Sequence, residues 1–295
     1  MKIITRIKGG LGNQLFCYAA ARRTAVVNNS ELIIDHITGF ERDFEYGRKY
    51  ALDHFHIPCR KTTPKERLEP FARYRRYLAK IISRRKTFIE RNYIEEERSD
   101  FDSRLLNIKT QGTVYMDGLW QSEQYFKDIE KIIRSDLRII PPVDELNKQM
   151  SIKIRSGNAV ALHVRWFDVP GSIENNNINC EYYNRAIALI DKKIISPHYY
   201  IFSDQPRAAL EKLKLNKESV TLVEHNSGDE NAYADMWLMS QCQHFITANS
   251  TFSWWAAWLG AACDKIVIHP KHIVRENKTE PWNFKGGLPI GWITL

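Results

Sequence analysis

From residue 159 to residue 270 the chain repeats one pattern, a short apolar run followed by a segment of helical spacing. "AVALHVR" (159–165) precedes "EYYNRAIALIDKK", and "HYYIFSD" precedes "PRAALEKLKL". "VTLV" precedes "DENAYADMWLMSQC", "HFITA" precedes "TFSWWAAWLG", and "KIVIHP" closes the series. Unbroken apolar runs suit strands buried on both faces, and the helices between them supply the crossovers that parallel strands need. The pattern predicts an α/β fold with a doubly wound parallel sheet. Ligands of such sheets sit outside the carboxyl ends of the strands, so each run's last residues are the first candidates for function.

The first half opens the same way. A strand is expected over 3–7, a helix over about 14–27 and a strand over 32–35, with the glycine-rich turn "KGGLGNQLF" between the first two. That turn fits no phosphate-binding template. The third glycine of G-x-G-x-x-G is replaced by Leu15, and the Gly-Lys-Ser/Thr end of a P-loop is absent. A less regular stretch covers about 37–109, then "TVYMDGLW" reads as a strand and 122–133 as a helix. At 295 residues two domains are expected. The Pro141–Pro142 pair, which stops helix and strand alike, divides them into 1–142 and 143–295.

No run approaches the roughly 18 apolar residues of a membrane span, and "MKIITRIKGG" breaks into charge and glycine before a signal peptide can develop. Five scattered cysteines, none in C-x-x-C, point to reduced thiols in a cytoplasmic protein. The net charge is +8, yet residues 60–91 alone carry twelve Lys/Arg against three Glu, a local +9 that leaves about −1 elsewhere. Basicity so confined argues against a nucleic-acid partner.

Polar residues close several of the strands. His163 and Arg165 lie two apart, on one face, with Asp168 in the loop beyond. Arginine there suits bidentate phosphate binding, the alternative being an Arg165–Asp168 ion pair. Asp204, two before Pro206, reads either as an N-cap or as an acceptor for a ribose or base. Asn249, Ser250 and Thr251 lead from a strand into a helix, whose free N–H groups and positive end make an anion site. The following Trp254, Trp255 and Trp258 suit the core. H-E-x-x-H does not occur, and an arginine and a helix end are at hand to neutralise a pyrophosphate, so no metal and no cofactor is expected.

Taken together, "GGLGNQLF", "DGLWQSEQYF" (117–126), "HVRWFD", "YIFSD" and "DMWLMSQCQHFITANSTFSWWAAWLG" resemble the α-1,2-fucosyltransferases of glycosyltransferase family 11. The likeness covers most of the chain outside about 37–112. It implies a GT-B architecture, two Rossmann-like domains facing a cleft, with GDP-fucose held by the C-terminal one without metal. It also implies inverting transfer of fucose to the 2-hydroxyl of a terminal galactose. Asn13 would then line the cleft and reach the donor's sugar-phosphate or the acceptor, His163, Asp168, Asp204, Asn249, Ser250, Thr251 and Phe252 would hold the donor with it, and Arg165 would stabilise the leaving diphosphate. The chain departs from the family pattern His-x-Arg-Arg-x-Asp at Trp166, which replaces the second arginine and offers an aromatic face to a sugar. No general base is evident, and Asp117 and Glu123 are the carboxylates to test.

Within "RLEPFARYRRYLAKIISRRK", Phe71, Tyr74, Leu78 and Ile81 recur three or four apart among arginines, the pattern of a basic amphipathic helix. It reads either as a helix packed on its own domain or as an adhesion to anionic lipid. The second suits a bacterial enzyme working on lipid-linked O-antigen intermediates at the inner face of the membrane. Three other functions are weighed: a GDP-sugar transferase of different linkage, a non-catalytic glycan- or nucleotide-binding protein, and a basic RNA-binding protein.

Overall fold

The computed structural model describes residues 1–97, 100–109, 112–165, 178–275, 278–281 and 287–295. It divides into two compact units between Arg138 and Ile139, just ahead of the proline pair, with Gly287 and Leu288 grouped with the first. All five cysteines are free thiols. Among the described residues no helix is long and apolar enough to cross a membrane.

The first unit is built from β1 (Lys2–Arg6), α1 (Leu11–Val27), β2 (Glu31–Asp35), β3 (Arg60–Lys61), α2 (Ala72–Arg84), β4 (Tyr93–Glu95), β5 (Thr113–Asp117) and α3 (Glu130–Asp136). Its strands run parallel in the order β3-β2-β1-β5-β4, with Ile4 of β1 beside Ile33 and Tyr115. Helix α1 packs on β1, where the Thr5 hydroxyl donates to the Cys17 carbonyl at 3.3 Å, and Ala19, Ala20 and Ala21 along it are buried. It begins three residues earlier than its apolar spacing suggests. Gly9 turns the chain at φ +75°, where a Cβ would meet the Asn13 side chain at 2.9 Å. The carbonyl of Gly10 then accepts from the amides of Asn13 and Gln14, so the glycine turn feeds straight into the helix.

The single helix expected over 122–133 is not formed. Two 3-10 turns, Glu123–Tyr125 and Lys127–Ile129, precede the short α3. Trp120, Tyr125 and Phe126 are all buried, Tyr125 against Trp120 and Phe126 against Phe16. Burying adjacent aromatics against different partners does not suit one amphipathic helix face, and tighter turns resolve the conflict.

The second unit contains α4 (Glu145–Arg155), β6 (Ala159–Val164), α5 (Cys180–Lys193), β7 (His198–Ser203), α6 (Pro206–Lys212), β8 (Val220–Leu222), α7 (Ala232–Ser240), β9 (His244–Ile246), α8 (Thr251–Leu259), β10 (Val267–His269), a hairpin of β11 (His272–Arg275) and β12 (Lys278–Pro281), and β13 (Ile293–Thr294). Six parallel strands are ordered β13-β10-β9-β6-β7-β8. The chain lays down β6, β7 and β8 outward, then returns to place β9 on the other flank of β6. That is the dinucleotide-fold order, and its reversal point lies between β6 and β9. Every residue of β6 is buried, as its apolar run requires. Trp254, Trp255 and Trp258 fill the core behind α8, with Trp254 and Trp255 rings 5.1 Å apart. These aromatics therefore anchor the helix while its first turn stays at the sheet's carboxyl edge.

Candidate functional site

At the reversal point of the second sheet, the ends of β6 and β9 and the start of α8 bring several sequence candidates together. His163 sits near the end of β6, buried, with its ring 5.5 Å from that of Phe252 in the first turn of α8. Burial, reinforced by the Arg165 charge, depresses its pKa to about 3, so the imidazole is neutral at any physiological pH. Its Nδ1 has no hydrogen-bond partner among the described residues, an open valence for a ligand group. Arg165, immediately after β6, supplies the positive charge at this edge. Trp166 and Asp168 lie outside the described residues.

Across from β6, Asn249 and Ser250 are buried where the chain leaves β9 for α8. Ser250 is the N-cap, accepting from the Phe252 amide at 3.3 Å. Its carbonyl accepts from the Trp254 amide, which starts the helical ladder. The helix's first N–H groups and its positive dipole end thus face the same edge as Arg165. The strand ends are braced from behind. The Tyr182 hydroxyl donates to the carbonyl of Thr247 at 2.8 Å, and the Thr247 hydroxyl lies 2.7 Å from His269 Nδ1. His269 is fully buried, which pushes its pKa to about 3.

Asp204 follows β7, next to β6 in the sheet. It does not cap α6: the residue before that helix is Gln205, which makes no side-chain cap bond. The Asp204 carboxylate instead takes the Ser203 hydroxyl at 3.2 Å and stays exposed at the carboxyl edge. A second carboxyl there went unnoticed in the sequence. Asp235 lies in the first turn of α7, where it accepts from Asn226 Nδ2 at 2.9 Å, and burial raises its pKa to about 7. A lone Asp in an apolar helix has no spacing to mark it. Its only signal is a charge in a segment otherwise fit for the core.

The remaining candidates belong to the first unit. Asn13 lies one turn into α1, and its Oδ1 accepts from Gln121 Nε2 at 2.8 Å. Asp117 ends β5 beside β1, and it pairs with Lys8 at 2.9 Å and Arg6 at 3.2 Å while accepting from the Tyr93 hydroxyl. Burial alone would raise its pKa, but Lys8 and Arg6 outweigh it and hold the carboxylate at about 2. So firmly ionised a group is a weak proton acceptor, which counts against Asp117 as general base. Glu123 stands half-buried in the first 3-10 turn. Among the described residues no three His, Cys, Asp or Glu cluster as metal ligands.

The sequence profile of Glycosyl transferase family 11 matches residues 2–293. An α-1,2-colitosyltransferase of Escherichia coli is 28% identical over 269 residues, 87% of each chain. The O-antigen biosynthesis glycosyltransferase WbnK of the same organism is 31% identical, covering 90% of this chain and 92% of its own. Among solved structures, the fucosyltransferase NodZ from Bradyrhizobium superposes with a TM-score of 0.52 at 15% identity, over 86% of this chain and 91% of the other. A mutant of Arabidopsis thaliana FUT1 in complex with GDP gives 0.55 at 13% identity, over 90% and 69%. The fold is thus of the GT-B class, two doubly wound parallel-sheet units.

Proposed function

The chain belongs to glycosyl transferase family 11 and is a glycosyltransferase, and we propose that it passes L-fucose from GDP-fucose to the 2-hydroxyl of a terminal galactose in an O-antigen or related surface glycan. The observation that carries the donor assignment is the meeting of a neutral buried imidazole, an arginine and a helix N-terminus at one sheet reversal point. This set suits a nucleoside diphosphate. Arg165 and the first amides of α8 meet the phosphates, and His163 and Asp204 meet the nucleoside. The Asp235 carboxylate adds an acceptor suited to the N–H edge of guanine.

In the reaction the bond from the sugar's C1 to the β-phosphate oxygen breaks as the acceptor oxygen closes on C1 from the opposite face, which inverts the anomeric centre. The acceptor's proton passes to water or to the β-phosphate of the released GDP as the new bond forms. Negative charge grows on the β-phosphate oxygen, and one well-placed donor to such a charge is worth roughly 3–4 kcal/mol. Arginine and helix dipole supply that stabilisation in this reading, with no metal required.

A second donor is favoured by one finding, the similarity to a colitosyltransferase. Colitose is fucose without its 3-hydroxyl, and a site built to hydrogen-bond a hydroxyl discriminates strongly against an analogue lacking it. The test is calorimetric titration, with EDTA present, of GDP, GDP-fucose, GDP-colitose, GDP-mannose and UDP-galactose. Binding of GDP and GDP-fucose, weakened by Arg165→Ala, supports the proposal. Preference for GDP-colitose moves the donor by one hydroxyl, and binding of UDP-galactose alone overturns it.

A further inference from the structure

Helix α2 is amphipathic in the wrong sense for a helix packed on its own domain. The side turned to the first unit is polar. Arg76 faces Glu41 at 3.7 Å, Lys80 pairs with Glu95, and Arg84 reaches the same carboxylate at 2.9 Å. Ser83, the helix's one fully buried residue, accepts from the amides of Asn92 and Tyr93 where β4 begins. The apolar side is turned out. Phe71, Tyr74, Leu78 and Ile82 form one stripe at helical spacing, with exposures from 38% for Leu78 to 77% for Phe71. Tyr77 flanks it and is exposed too. Arg75 and Arg85 lie along the stripe while Arg73 falls on the other side by spacing, and all three are exposed. Neither Arg73 nor Arg85 has a side-chain partner among the described residues. A helix normally buries its apolar face and hydrates its charges, so this stripe is left open for something outside the unit.

We propose that this face docks on an anionic lipid surface, the helix lying in the plane of the headgroups. Its aromatic and aliphatic side chains would enter the acyl boundary and its arginines would meet lipid phosphates. Charge selects this occupant. Residues 60–91 carry +9 while the rest of the chain is close to neutral, so the stripe is embedded in the one strongly cationic region. A second copy of the chain would set two such regions against each other, and like charges at contact repel. A nucleic acid would use the arginines but has no use for exposed Leu78 and Ile82.

The test is co-sedimentation of the full chain with vesicles of phosphatidylcholine alone and with vesicles rich in phosphatidylglycerol, across a salt series. The proposal expects binding to the anionic vesicles only, weakened by salt, with roughly a fivefold loss for each charge removed in Arg75→Gln and Arg85→Gln. Tyr74→Ser, Leu78→Ser and Ile82→Ser together should abolish binding while the chain stays folded by circular dichroism, with only a modest fall in melting temperature, because these positions lie at the surface of one helix. Equal binding to neutral vesicles, or full binding by the triple serine variant, would overturn it. A concentration-dependent dimer lost in that variant, without vesicle binding, would assign the stripe to a second copy instead.

Discussion

Asp235 provides the clearest quantitative prediction. Its side chain is half-buried in the first turn of α7 with one donor, Asn226 Nδ2, and desolvation raises its pKa from 3.8 to about 7. The folded pKa lies above the unfolded one. The carboxyl therefore costs no stability below about pH 4, costs more as pH rises through 7, and stays at its maximum above that. A displacement of about three units corresponds to about 4 kcal/mol at pH 8 and about 2 kcal/mol at pH 5. Asp235→Asn keeps an acceptor for Asn226 and removes the charge. The variant should gain up to about 4 kcal/mol over the parent at pH 8 and roughly half of that at pH 5. Urea unfolding followed by circular dichroism at both values reads the difference, and subtracting the two proteins cancels the other titrating groups. If the carboxylate holds the nucleobase, the same variant should bind GDP less tightly, a gain in stability set against a loss of function. Equal stability of the two proteins at both pH values would refute the account of this group.

Three further outcomes are expected. Arg165→Ala should fold normally and lose about 10²–10³ in turnover, and a folded variant with near-parental kcat would sink the role assigned to it. His163 and His269, both depressed to about 3 by burial, contribute stability that is complete above their unfolded pKa of 6.5 and is lost as pH falls toward 3. Each should cost about 2 kcal/mol by pH 5, so His163→Asn should lose that much less between pH 7 and pH 5 in the same unfolding assay. Asp117→Asn strips Lys8 and Arg6 of their counter-charge and should destabilise the protein by about 2–3 kcal/mol. It should leave the shape of the pH–rate profile intact, and loss of the acidic limb would restore Asp117 as base.

The second sheet was readable because parallel strands buried on both faces write themselves as apolar runs. The whole of β6, β9 and β10 is buried, and each lies inside a run of that kind. Their ends were readable for the same reason, which is why His163, Arg165 and the Asn249–Phe252 turn were found before the topology that joins them. The short strands β3, β4 and β13 lie outside any apolar run and so carry too little pattern to see. The 3-10 turns around Tyr125 answer to tertiary burial of neighbouring aromatics, which no local spacing encodes. For α2, periodicity located the apolar stripe but not its direction. That depended on Glu41, Glu95 and the amides of β4, residues distant in sequence, offering polar partners to the opposite side. Of the two readings of Asp204, the cap is set aside for a simpler reason. Proline at the first helical position already dispenses with one donor, and Gln205 carries the chain into the helix without a side-chain bond.

The central claim is the bond the enzyme makes. The direct measurement is to incubate the purified chain, in EDTA, with GDP-fucose and a galactose-terminated oligosaccharide, and to read the product's anomeric configuration and attachment site by NMR. The account predicts a single α-fucosyl residue on the galactose 2-hydroxyl, abolished by Arg165→Ala. A product linked through another hydroxyl, a product of retained configuration, or transfer from a donor other than GDP-fucose alone would contradict it.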